Sequence, residues 1–306
     1  MTHEHHITLK GAAVEGPGTS GQLVAGLFGV FAQGTERALR YRLEGRSTAP
    51  GASPASFRTA ADFKLLDIAA TRGIRTFELR ARPLFESMPE RFAQGQLFEE
   101  FDPHKSPFDL FEDALEDALL GRADSDAFDF PLLETCIDLK SVLGAGLDSL
   151  EIKNGRTLIV DAERIEHVVE LARQAYSSRR VRLAGRLETI RYSDCRFTLI
   201  LASGTKIAGT AKELGSETLR DHFGQDVIVS GTADFRPSGR LLRINAENVE
   251  PATHKDLQLF AAMPRPLNAA APLERRIVRG GLSALLGQWP GEESTDDLLA
   301  QLRHLA

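Results

Sequence analysis

A chain of 306 residues with a formal net charge of −6 has length for two ordinary cores and no overall attraction to nucleic acid or anionic membrane, so any such binding must come from a local patch. Its only cysteines, Cys136 and Cys195, stand far apart with no CxxC pair, which excludes a disulfide framework and a cysteine-rich zinc site. No apolar run reaches the roughly 20 residues that a membrane-spanning helix needs, and Met1 to Lys10 lacks a basic segment followed by an apolar core, so a cytoplasmic protein without membrane contact is expected. Many Ala, Leu, Arg and Gly with few Trp and Tyr suit a bacterial, GC-rich coding sequence.

His3, His5 and His6 are able to ligate a transition metal, but they fall on what reads as a disordered terminus, and no metal is assigned. A strand is expected over Ile7 to Val14. Gly16-Pro17-Gly18-Thr19-Ser20-Gly21 then satisfies G-x-G-x-x-G, yet Pro17 removes one N–H donor and no series of βα units follows, so the segment reads as a structural turn. Leu23, Leu27, Val30 and Phe31 predict a helix between Gln22 and Leu43. A Pro/Ala/Gly/Ser-rich loop follows over Thr48 to Pro54, and Ile74 to Leu79 alternates as a strand ended by Pro83.

The next segment turns acidic. Pro107 to Leu120 reads as a helix with Phe108, Phe111, Leu115 and Leu119 on one face and carboxylates mostly on the other, a solvated face without the D-x-D-x-D-G loop of a calcium site. Pro131 opens another helix, which Gly144 and Gly146 end. Two short strands flank Asn154-Gly155, the dipeptide of a type I′ hairpin turn, and Asp161 caps a helix running to about Tyr176. Within that hairpin Glu151-Ile152-Lys153 resembles the E-x-K half of a restriction-type nuclease site, in which Glu holds Mg²⁺. Asp138 and Asp148 stand at suitable distances along the chain.

From Val181 to Val249 the pattern changes to period two. Val181, Leu183 and Leu187 alternate with polar residues, then Phe197, Leu199 and Leu201, and a short strand follows at Lys206 to Ala211. Glu213 to Phe223 reads as one short helix. Strands resume at Val227 to Phe235 and, after Pro237-Ser238-Gly239, at Leu242 to Ala246. Three strands, a helix and two strands resemble the OB-fold, and Gly185 and Gly231 inside strands suit the bends of a small barrel. The resemblance implies a ligand face at two loops, Arg191 to Cys195 and Phe235 to Arg240. Candidate nucleic-acid or ligand contacts are therefore Arg191, Tyr192, Arg196, Phe235, Arg236, Arg240 and Arg243, cations beside rings on which bases stack. From Arg179 to Ala252 there are 12 basic and 9 acidic residues, a modest excess.

Met263 to Pro272 reads as a linker. Beyond it, Trp289-Pro290-Gly291 precedes a helix from Ser294 with Leu298, Leu299, Leu302 and Leu305 in one stripe. This tail resembles C-terminal tails of bacterial antitoxin and regulator proteins, and Trp289, Leu298, Leu302 and Leu305 are the candidate partner contacts. A helix of about a dozen residues is marginal alone in water, so it must dock on its own chain or on another.

The expected fold is α+β: an acidic N-terminal α+β domain (1–154), a connecting hairpin strand and helix (155–178), a small OB-like β-barrel (179–254), and a linker with a C-terminal amphipathic docking helix (255–306). The expected function is non-catalytic binding or regulation, with an antitoxin or defence-system role as one concrete form, through a protein partner held by barrel and tail. Single-stranded nucleic-acid binding and a metal-dependent nuclease are the alternatives. No catalytic residue and no cofactor are assigned, and the sequence does not set the oligomeric state.

Overall fold

The computed structural model describes residues 3–48, 53–71, 73–92, 102–192 and 195–266. The expected helix around Ser294 to Leu305, with Trp289, lies outside them. In chain order the first half runs β1 (His3–Lys10), a 3₁₀ turn (Ala12–Val14), α1 (Gly21–Glu44), α2 (Ala55–Ala61), β2 (Phe63–Thr71), β3 (Ile74–Ala81), α3 (Leu84–Ser87), α4 (Pro89–Phe92), α5 (Pro107–Leu119), α6 (Phe130–Ile137), α7 (Leu139–Gly144), β4 (Ser149–Asn154), β5 (Arg156–Asp161) and α8 (Ala162–Arg173).

Its five strands pair antiparallel in the order β2-β3-β1-β4-β5. The terminus expected to be disordered is thus the middle strand of the sheet. On β1, His5, Ile7 and Leu9 are buried while His6 is exposed, the alternation of a strand with one covered face. The helices cover that face. Gly34 of α1 lies so close to Phe111 of α5 that a Cβ would stand 2.3 Å from the ring, and Phe28, Phe31, Phe63, Phe77, Phe108 and Phe111 form a chain of edge-to-face and tilted ring contacts. Edge-on packing satisfies the ring quadrupoles as well as burying area.

Three expectations need adjustment here. The helix expected to run unbroken from Pro131 ends at Ile137 and restarts at Leu139, and α2 and β2 fill a stretch where no element was expected. The segment from 155 to 178, expected as a connector, carries β5 at the edge of this sheet and Ile165, Val168 and Leu171 of α8 in this core.

The second half forms a closed barrel from β6 (Arg179–Arg191), β7 (Arg196–Leu201), β8 (Lys206–Thr210), β9 (Asp226–Phe235) and β10 (Leu241–Pro251), ordered β10-β8-β7-β6-β9, with α9 (Gly215–Asp221) between its third and fourth strands and α10 (His254–Leu259) after its last. Strand β6 passes from one neighbour to the other at Gly185, which pairs with both Leu201 and Val227. A Cβ there would lie 2.4 Å from the Ile200 carbonyl, and one at Gly231 would lie 2.0 Å from the Asn245 carbonyl, so both glycines are required by close backbone approach. Closure comes from a parallel contact of two residue pairs, Ile244 with Gly209 and Asn245 with Thr210. The barrel has its own core, including Leu183, Leu187, Leu199, Val229 and Ile244. Barrel and α+β body nevertheless belong to one compact unit. Among the described residues no helix is long and apolar enough to cross a membrane.

Candidate binding site at the junction of barrel and body

The cations of the barrel loops meet carboxylates of the body. Gly121 closes α5 in the left-handed region, and the turn after it brings Asp124, Asp126 and Asp129 toward the β9–β10 loop. Arg236 donates from Nη1 to the Asp124 carbonyl at 2.8 Å and pairs through Nη2 with Asp126. Ser238 donates its hydroxyl to Asp124, and Arg240 Nη1 stands 3.5 Å from the same carboxylate. The Ser238 hydrogen bond in the first place, helped by Arg240 and Arg236 against a small burial effect, holds the Asp124 carboxyl below the usual aspartate range.

Arg243 of β10 lies deeper, with 9 % of its side chain exposed. Its Nε donates to Asp234 at 3.0 Å, its Nη2 stands 3.5 Å from Asp129, and its guanidinium carbon is 5.6 Å from the centroid of the Tyr41 ring. Burial pushes the Tyr41 phenol up to about 12, against the opposing pull of Arg243, so it stays protonated in the physiological range. Asp129 caps α6 and accepts from the Ser47 amide and hydroxyl at 2.8 and 2.5 Å, while Asp234 also accepts from Ser178 and Asn245. Each charge in this network therefore has a partner, as buried ionic groups require.

On the other side of the contact, Arg196 of β7 donates from Nη2 to the Arg42 carbonyl at 2.6 Å, and Lys212 pairs with Glu44 at 3.0 Å. Gly45 ends α1 at φ 76°, where an added Cβ would stand 3.4 Å from Thr210 and 3.8 Å from Arg196. The C-terminal end of α1 thus rests on the second and third strands of the barrel.

Of the residues singled out in the sequence, Arg236, Arg240 and Arg243 are brought together on one acidic segment, and Arg196 holds the end of α1. Phe235 is buried in the barrel, and Tyr192, 59 % exposed, follows Arg191 at the end of β6. Trp289, Leu298, Leu302 and Leu305 lie outside the described residues.

Between barrel and body a hollow of about 580 Å³ remains, lined among others by Arg46, Asp129, Phe130, Tyr176, Asp234 and Arg243. A smaller one of about 170 Å³ also borders Arg243, beside Tyr41 and Arg196. Arg46, Phe130 and Tyr176 carried no signal in the sequence, because the hollow exists only once two cores far apart in the chain are docked. Phe130 is 45 % exposed, and Arg46 Nε is buried without a hydrogen-bond partner among the described residues.

The other motifs resolve as structure. Arg75 donates to the Gly16 carbonyl at 2.7 Å and the Thr19 hydroxyl at 2.9 Å, so a cation of the chain itself tethers the glycine-rich turn. Glu151 pairs with Lys10 and, at 3.5 Å, with Lys153; the Lys10 hydrogen bond above all, against some burial, holds its carboxyl below the usual range. Neither Asp138 nor Asp148 joins it in a group able to hold a metal among the described residues; the group that does form lies between β1 and α5.

Fold and site together define a mixed α+β protein in which a closed five-stranded barrel, consistent with OB-like wiring, is clamped by charge onto a helix-covered antiparallel sheet. No family model, curated protein or solved structure matches this chain.

Proposed function

We propose that this chain is a non-catalytic binding or regulatory protein, and that the hollow between barrel and body receives a segment of a protein partner. The barrel is read as an OB-fold, whose usual ligand face comprises its second and third strands with the loops that flank them. Here Arg196, Arg236 and Arg240 of that face already hold carbonyls and carboxylates of their own chain, which favours a protein occupant over a polynucleotide. The observation that carries the reading is Arg46: a guanidinium with an unpartnered buried Nε at a hollow that also presents Phe130 and Tyr176. Such a set suits a carboxylate or phosphorylated side chain next to an apolar one. The tail residues Trp289, Leu298, Leu302 and Leu305 supply a second contact in this reading, and an antitoxin-like role is its concrete form.

The test uses the full chain as bait beside an Arg46→Ala, Phe130→Ala variant, together with anisotropy of labelled single-stranded DNA and RNA at low and moderate salt. A partner retained by the wild type and lost by the variant, with no oligonucleotide binding, is expected. Salt-sensitive oligonucleotide binding that disappears on Arg191→Ala with Tyr192→Ala replaces this reading with the nucleic-acid one.

A further inference from the structure

His3 and His5, two residues apart on β1, point to the helix side of the sheet and meet the first two turns of α5. The His5 side chain is wholly buried, its ring 4.5 Å from that of Phe108. Its Nδ1 lies 2.8 Å from Glu112 Oε1. A carboxylate only accepts, so Nδ1 carries the hydrogen and Nε2 is the nitrogen left for another partner. That nitrogen is buried without a hydrogen-bond partner among the described residues. Facing it at 3.9 Å is Asp109 Oδ1, too far for a hydrogen bond yet inside the roughly 4.4 Å that two ligand atoms of one zinc-type ion can span.

The rest of the cluster is built to hold Asp109 in place. Its Oδ2 accepts from the Ser106 amide at 2.6 Å and hydroxyl at 2.8 Å and stands 3.0 Å from His3 Nδ1, while Asn154 donates to Oδ1. Asp109 and Glu112 are 7 % and 2 % exposed. Two buried carboxyl groups around one imidazole are the kind of donor set that a dication satisfies in a low-dielectric site. His5, Asp109 and Glu112 each offer one ligand atom, all within 4.8 Å of one another.

We propose that His5, through Nε2, and Asp109 bind a divalent transition-metal ion of the zinc, cobalt or nickel type, with Glu112 orienting the His5 ring through Nδ1 and His3 flanking Asp109. Imidazole nitrogen beside carboxylate selects this class over Mg²⁺ or Ca²⁺, which favour all-oxygen shells. A bound ion staples the first strand to α5.

The full chain, prepared without a histidine tag and stripped with chelator, is titrated with Co²⁺ in the visible range and competed with Zn²⁺. One ion per chain, a d–d band, and slowed amide exchange confined to β1 and the start of α5 are expected. Asp109→Asn with Glu112→Gln weakens uptake at least about tenfold, as loss of even supporting groups does at metal sites. His6→Ala, on the opposite face of β1, leaves it unchanged. Absence of saturable uptake by the wild type overturns the proposal, as does uptake that survives the double variant or vanishes with His6→Ala. Should the double variant not fold, exchange in the wild type decides: metal protection at β1 and α5 supports the site, and protection elsewhere or nowhere overturns it.

Discussion

Single residues at the barrel corners show how narrow the tolerances of a small closed sheet are. The methyl group of Gly231→Ala would meet the Asn245 carbonyl, a backbone atom that cannot swing aside, so part of the ladder must shift. A loss of about 1–3 kcal/mol is expected from such overpacking. Gly29 offers the opposite case, exposed within α1 with nothing within 4 Å of an added Cβ. There Gly29→Ala should gain about 0.5–1 kcal/mol by restricting the unfolded chain and favouring the helix. Urea midpoints of both variants against the wild type check the pair, and a neutral Gly231→Ala would mean that the barrel corner is looser than drawn. Cys136 illustrates another local effect: burial above all, with some help from Asp138, pushes its thiol up to about 12 and leaves it unreactive in the folded chain.

Among the elements, α1 spans both halves of the molecule. Its apolar face packs against α5 and α6, and its last residue, Glu44, pairs with Arg40 one turn back and with Lys212 after the third barrel strand. Burial works to raise the Glu44 carboxyl, but hydrogen bonds from Arg40 and Lys212 outweigh it and hold the group below the ordinary glutamate value of 4.5. A lowered folded value means that this stabilisation is fully present above about pH 4.5 and is lost as pH falls through the folded value. The difference in urea midpoint between wild type and Glu44→Gln should therefore be largest near neutrality and shrink as the pH is taken below 4.5; a difference that grows in acid would reverse the sign of this assignment.

Helices and strands with one covered face were readable from the sequence, α1, α5, β3 and the barrel strands among them, because a covered face imprints a period. Strand β2 imprints none. Its residues from Lys64 to Thr71 are exposed on both faces, Leu65, Leu66 and Ile68 included, and a register shift after Leu65 breaks the alternation further. The histidines of β1 were hidden for a different reason: a polar strand at a terminus looks like a solvated tail until the sheet that surrounds it is known. The junction left still less trace, since Arg236 and Asp126 are distant in sequence and each alone is an ordinary surface charge.

For the whole molecule, the decisive link is between Arg243 and Asp129, because Arg243 belongs to the strand that completes the barrel. The β8–β10 contact consists of two residue pairs, reinforced by Thr210 donating to Asn245 at 3.0 Å, whereas the other joins are longer antiparallel ladders. Short pairings open at low free energy, and native-state hydrogen exchange reads such openings directly. Asp129→Asn should speed exchange at Gly209, Thr210, Ile244 and Asn245 while leaving the β6–β9 ladder protected; uniform protection would mean that the closure stands without help. The barrel is then a bracelet whose clasp is worn by the neighbouring body. Prising the two halves apart and springing the ring become one event, so a ligand wedged into the hollow between them would also decide how tightly the barrel is shut.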